Sequence, residues 1–206
     1  MKRRTIFLLA CSVIVAAAAG IAARTLMQMR ENRHPAYTIV WQSTAYDATG
    51  QATPMYTETR YVSSNGNWHS VRQYADGRTE ESFAEVGRGV FVKQGDKLHF
   101  LSNHMLPPKR VLEGYLKSPD YLRTETVMGQ VAAVIKTNND PDGRFEIFMA
   151  PSLNGEIKHI DHGDITIVKE PVSLIFGEPD ASLLKMPAPN APVDYKNYEQ
   201  LHGARP

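Results

Sequence analysis

The run MYTETRYVSSNGNWHSVRQYADGRTEESFAEVGRGVFVKQGDKLHFLS, Met55–Ser102, decides the fold. Asn65-Gly66 parts Met55–Ser64 from Asn67–Tyr74, and Asp76-Gly77 parts that segment from Arg78–Val86. Gly87-Arg88-Gly89 then leads into Val90–Gln94, and Gly95-Asp96 into Lys97–Ser102. Asn-Gly and Asp-Gly favour two-residue type I′ turns, whose central residues both need positive φ. Flanked by Tyr, Val, Thr, Trp and Phe, two such pairs at close spacing predict an antiparallel meander. Its alternation is imperfect: Trp68 and Tyr74 share a face with Arg72 while Val71 points the other way, and Phe83 opposes Ala84 and Val86. Apolar groups on both faces predict a curved sheet wrapped around something, not a flat one with a wet side.

Working outward, Tyr37–Ala45 alternates well enough for a first strand, with Tyr37, Ile39 and Trp41 on one face, and Tyr46–Pro54 reads as a connection of small residues. Beyond the meander, strands resume at Tyr121–Met128 and Val131–Thr137 about a turn at Gly129-Gln130. A loop at Asn138–Gly143 precedes a strand lined by Phe145, Ile147 and Met149, and a turn at Pro151–Gly155 follows it. Glu156–Asp161, Ile165–Glu170 and Val172–Phe176 complete the series. That makes about ten strands, more than a flat open sheet holds without curling. Asn103–Ser118 breaks the pattern: Pro107-Pro108 starts a helix, Val111, Leu112, Tyr115 and Leu116 recur at helical spacing, and Pro119 stops it. Such a stripe plugs one end or the concave face of the sheet. The expected domain is mainly β, a strongly curved antiparallel sheet with one or two short helices, over residues 36–187.

Met1-Lys2-Arg3-Arg4 precedes an apolar run, Ile6–Ala23, broken only by Ser12. A cleaved signal peptide fits the basic start and the small residues Ala16–Ala19. A retained transmembrane helix fits the length, at the lower edge of ~18 residues for a span. The anchor is the preferred reading, with the periplasmic side of the inner membrane as location; soluble periplasmic after cleavage is the alternative. Residues 24–35 read as a stalk, and residues 188–206, rich in Pro and Ala, as an extended tail.

With 23 basic and 22 acidic residues and no charged block in the body, nothing offers nucleic acid the basic face it needs. The only cysteine, Cys11, lies in the apolar run, so the folded part has no disulfide and no cysteine nucleophile. No G-x-S-x-G, H-E-x-x-H, P-loop or G-x-G-x-x-G occurs, and the chain reads as non-enzymatic, without cofactor. His159-Ile160-Asp161-His162-Gly163-Asp164 is the one cluster of metal-ligand types. On a strand His162 opposes His159 and Asp161, so a solvated hairpin is expected there and no metal.

The closing region carries a resemblance. Phe148-Met149-Ala150-Pro151-Ser152-Leu153-Asn154-Gly155 is followed by Phe176-Gly177-Glu178-Pro179-Asp180-Ala181-Ser182-Leu183-Leu184-Lys185-Met186-Pro187. This resembles the ending of bacterial exported proteins in which an aromatic–x–(S/A)–P–x–L strand leads to G-E-P-D-x-S-L-F-x-x-P, with Leu184 here in place of Phe. Those proteins are similar to the outer-membrane lipoprotein carrier superfamily, which includes LolA, LolB and RseB. The resemblance implies a half-barrel capped by a helix around an apolar cavity, which the carriers fill with acyl chains. Pro179 and Pro187 are expected to fix turns, and Leu183 and Leu184 to plug the barrel edge. Two functions follow as expectations. One is a membrane-tethered half-barrel that binds an apolar or acylated ligand, lined by Trp41 and Trp68 and lidded by Val111, Leu112, Tyr115 and Leu116. The other is a partner-binding or sensory domain with a packed interior.

Overall fold

A computed structural model describes residues 34–94, 97–105, 109, 111–136, 144–186 and 193–194. The meander is present: β2 (Ala52–Val62), β3 (Trp68–Tyr74), β4 (Thr79–Glu85), β5 (Gly89–Gln94) and β6 (Lys97–Ser102) follow β1 (Tyr37–Tyr46) as antiparallel neighbours. A short helix, α1 (Leu112–Leu116), separates them from β7 (Tyr121–Val127), β8 (Gln130–Lys136), β9 (Phe145–Ala150), β10 (Gly155–His162) and β11 (Thr166–Phe176). β11 returns to pair with β1, so the order is β6-β5-β4-β3-β2-β1-β11-β10-β9-β8-β7, eleven antiparallel strands. The two-residue β12 (Val193–Asp194) adds in parallel beside β6. The ends do not pair with each other, so the sheet curls without closing into a barrel.

Both meander turns fall where expected, but with a different geometry. Positive φ occurs at Gly66 (86°) and Gly77 (88°), not at Asn65 or Asp76. Ser63 and Asn67 close one loop and Tyr74 and Arg78 the other, each over three residues ending in glycine. This is a type I turn followed by a left-handed glycine. The Asn65 amide oxygen and the Asp76 carboxylate each accept the backbone N–H two residues on, at 2.9 and 3.0 Å, which holds them right-handed. The two-residue turn with both φ values positive is Met128-Gly129 (48° and 73°), one residue before the expected position.

Three further expectations are corrected. β2 begins at Ala52, because the Asp47 carboxylate takes the N–H groups of Thr49 and Gln51 and closes the connection early. Ile165–Glu170 and Val172–Phe176 form one strand, since Pro171 sits at the register shift opposite Trp41, where a missing N–H is tolerated. The helix runs only from Leu112 to Leu116. Val111 before it is extended and supplies no side-chain cap, and Gly114 weakens its middle. Pro107-Pro108 and the loop Asn138–Gly143 lie outside the described residues, as do the expected anchor or signal (residues 1–23), residues 24–33 of the stalk, and most of the tail. Among the described residues no helix is long and apolar enough to cross a membrane.

Curling is what joins the main core. Tyr37, Ile39 and Trp41 of β1 bury in one cluster with Val62, Ala132, Val134, Phe148, Ala150, Leu153 and Ile157, drawn from β2, β8, β9, β10 and the β9–β10 turn. The opposite face of the meander has its own core. Phe83, Phe91 and Leu98 are buried there, with Phe100 and Met186 against them. That face is covered by the closing motif, not by the sheet edge. Glu178 accepts the Ser64 N–H at 3.1 Å, Asp180 caps the 3-10 turn Ala181–Leu184, and His69 Nδ1 donates to the Leu183 carbonyl at 2.7 Å. Leu183 and Leu184 therefore strap the middle of the meander. Apolar residues on both faces, read as a sign of curvature, reflect two cores.

Candidate binding site

Cross-strand register sets one row of side chains on the inner face. Tyr56, Glu58, Arg60 and Val62 of β2 stand opposite Tyr74, Arg72, Ser70 and Trp68 of β3, and Ser43, Trp41, Ile39 and Tyr37 of β1 complete the surface. Its apolar end is the main core. Its other end is charged.

Trp41 is 1% exposed, and its indole N–H donates to the Ile157 carbonyl at 2.7 Å. The Arg60 guanidinium lies 5.1 Å from the Trp41 ring centre and 4.8 Å from that of Trp68, and the Lys169 ammonium lies 4.1 Å from Trp41. Each is within cation–π range. Arg60 thus bridges the two tryptophans that the sequence singled out.

Glu58, with its side chain 1% exposed, is the hub. Arg60 reaches it at 2.8 Å, Lys169 at 3.0 Å and Arg72 at 3.2 Å, and the Ser70 hydroxyl donates at 2.7 Å. Burial alone would raise its carboxyl, but the three cations and Ser70 outweigh that and hold it well below the usual carboxylate range. Burial pushes the Lys169 ammonium below its ordinary value, against the pull of Glu58 and Glu156. Burial would likewise raise Glu156, yet His159 and Lys169 keep it low. Arg72 also meets Glu80 at 3.2 Å and lies 4.6 Å from the Tyr56 ring.

The other residues expected to line a cavity are elsewhere. α1 packs on β8, with Tyr115 buried, Leu112 half-buried, and Val111 and Leu116 61% and 42% exposed. The structure brings Trp41 and Trp68 together and does not bring the helical stripe to them. A cleft of about 250 Å³ lies between Gln42, Pro54, Met55, Tyr56 and Tyr74, beside the Tyr56 end of the row, and one of about 130 Å³ between Trp68, Phe83, Leu184 and Met186, on the side of the opposite core.

The histidine cluster is dispersed. His159 faces Glu156 and the Phe145 ring, Asp161 is held by Arg144 at 2.9 Å, and His162 turns to Glu146. Among the described residues no three His, Cys, Asp or Glu side chains are placed to hold a metal. The hub itself escaped the sequence reading. Its one local signal is the alternation Tyr56, Glu58, Arg60, Val62 along β2, which looks like a solvated face until Trp41 is set opposite Glu58.

No family model matches the chain, and no curated protein matches it. Solved structures do. MucB in complex with MucA(peri) is 18% identical over 81% of this chain and 60% of that one, at a TM-score of 0.42. The MucA/MucB complex of Pseudomonas aeruginosa is 16% identical over 77% and 58%, at 0.41. A LolA superfamily protein from Nitrosomonas europaea is 12% identical over 80% and 97%, at 0.39. The chain spans about three fifths of the MucB chains it matches.

Proposed function

We propose that the chain is an exported, non-catalytic binding module of the cell envelope, tethered at the periplasmic side of the inner membrane by residues 1–23. Its β domain, residues 36–187, takes a protein partner and not an acyl chain. One observation carries this reading: the inner face is filled. Ile39, Trp41, Phe148 and Ile157 are 0–1% exposed, and the surface beside them is the ionised Glu58 hub. An acyl chain laid there would strip the remaining water from Arg60, Arg72 and Lys169 without replacing its hydrogen bonds. The two clefts, about 250 and 130 Å³, are also smaller than the ~300–1,000 Å³ of most ligand pockets. The closing-motif resemblance supports the envelope location.

The second reading, a carrier of an apolar or acylated ligand lined by Trp41, Trp68, Val111, Leu112, Tyr115 and Leu116, draws support from the exposed apolar surface of α1. Native mass spectrometry of the full chain released from detergent separates the two. The expected spectrum shows the protein mass alone. A retained adduct of lipid or fatty-acid mass would overturn the partner reading in favour of the carrier.

A further inference from the structure

β10 pairs with β11 only across His159–His162 and Thr166–Lys169. Beyond Lys169, β11 continues to Phe176 with β1 as its one partner strand among the described residues. Continuing the β10–β11 register by two residues would set Ile157 against Pro171, which has no N–H to give. The Ile157 carbonyl instead accepts the Trp41 indole N–H, and Ile157 buries in the core beside Leu153 of the β9–β10 turn. One flank of Val172–Phe176 is therefore left without a neighbour among the described residues. Three of its five side chains are apolar and exposed, Val172 at 52%, Ile175 at 64% and Phe176 at 51%, while Ser173 is half-buried and Leu174 packs on the main core.

The sheet's two outer edges are guarded in ordinary ways. β6 is covered by β12. β7 carries Arg123 and Glu125, paired to each other at 2.6 Å, and edge charges disfavour strand addition. Val172–Phe176 has neither a charge nor a proline, and a flank of this kind templates pairing with another chain. Alternating N–H and C=O groups at a rise of ~3.3 Å per residue match an extended peptide backbone and no lipid or small molecule. Exposed Glu170, 4.0 Å from Lys158, and exposed Glu178, which accepts the Ser64 N–H, stand beyond the two ends of the stretch and leave its surroundings acidic enough to favour a basic residue at either end of the incoming segment.

We propose that the open flank of β11 at Val172–Phe176 is a strand-addition site for a partner's extended segment, apolar at alternate positions, free of proline and flanked by Lys or Arg. It rests on the partner-binding reading and says where the partner docks. The test uses the full chain in lipid nanodiscs and a fluorescein-labelled peptide, KTVTVTITK, with KTVPVTPTK as the control that cannot form the ladder. The first peptide binds saturably and slows amide exchange at Leu174 and Phe176, whose N–H groups face away from β1; the control does neither. Ile175→Lys and Val172→Lys each raise Kd about tenfold, with unchanged melting temperatures because both side chains are exposed. Absence of binding, equal binding to Ile175→Lys, or protection of the Leu174 and Phe176 amides in the free chain would each overturn the site; the last would mean that the chain's own residues cover the flank. A retained lipid adduct in native mass spectrometry refutes the partner reading whatever the peptide does. Failure of the peptide without an adduct refutes the strand-addition site alone.

Discussion

Glu58→Gln isolates the charge at the centre of the inner face, since glutamine keeps the shape and can still accept from Ser70. Three cations then lose their common partner. Removing one partner of a buried ion pair costs about 3–5 kcal/mol, much of it from the uncompensated charge left behind. Arg60 and Arg72 keep 30% of their side-chain surface, so water screens part of that charge and the lower end, about 3 kcal/mol, applies. At about 2–4 °C per kcal/mol for a domain of this size, the melting temperature falls by roughly 6–12 °C. Lys169→Met makes the contrast. It leaves Glu58 two guanidinium partners and Ser70, and it relieves the burial that already disfavours the ammonium, so the loss is about 1 kcal/mol or less. The pH dependence has a definite sign. The folded carboxyl titrates below its unfolded value of 4.5, so its contribution is complete above that pH and is lost as pH falls below it. Thermal unfolding of wild type and both variants, followed by circular dichroism from neutral to acid pH, should show a wide gap for Glu58→Gln that narrows below pH 4.5. A Glu58→Gln melting point within about 2 °C of wild type, or a Lys169→Met loss of equal size, would refute the hub.

Trp41→Phe keeps the ring between Arg60 and Lys169 but removes the indole N–H. The buried Ile157 carbonyl then goes unpaired, with an expected loss of about 1–3 kcal/mol in chemical denaturation; an unchanged midpoint would count against that bond. Gly77→Val meets nothing within 4 Å, so its expected cost, about 1–3 kcal/mol, comes from φ at 88° alone. Wild-type stability in that variant would mean that the turn relaxes to negative φ.

The meander was legible because its signals are local. Glycine after Asn or Asp marks a reversal whichever turn is formed, and that is why the strands at Trp68–Tyr74 and Lys97–Ser102 fall where expected although the turn type differs. The row Tyr37, Ile39, Trp41 was legible for the same reason, and all three bury. The helix was overread, because spacing alone reports neither the missing cap at Val111 nor the exposure of Leu116. The hub was not legible at all. Lys169 lies far along the chain from Glu58, and only the return of β11 to β1 brings Ser43 opposite Lys169 while Trp41 stands opposite Glu58. Charge on a strand normally signals solvent. Here the pairing, not the pattern, decides which face is buried.

Pro171 ties together three features that otherwise look unrelated. A proline inside a paired strand removes a donor, and the fold accommodates it with a register shift against Val40 and Trp41. The shift turns Trp41 to the carbonyl that Pro171 cannot serve, and that bond draws Ile157 of β10 over the inner face of β1. The interior is then filled by the sheet's own side chains, leaving the cations to gather around Glu58 at its margin. The strand that filled the interior is also the one that would have covered Val172–Phe176. Among the described residues, the packed interior and the unpaired flank of Val172–Phe176 thus meet at Pro171.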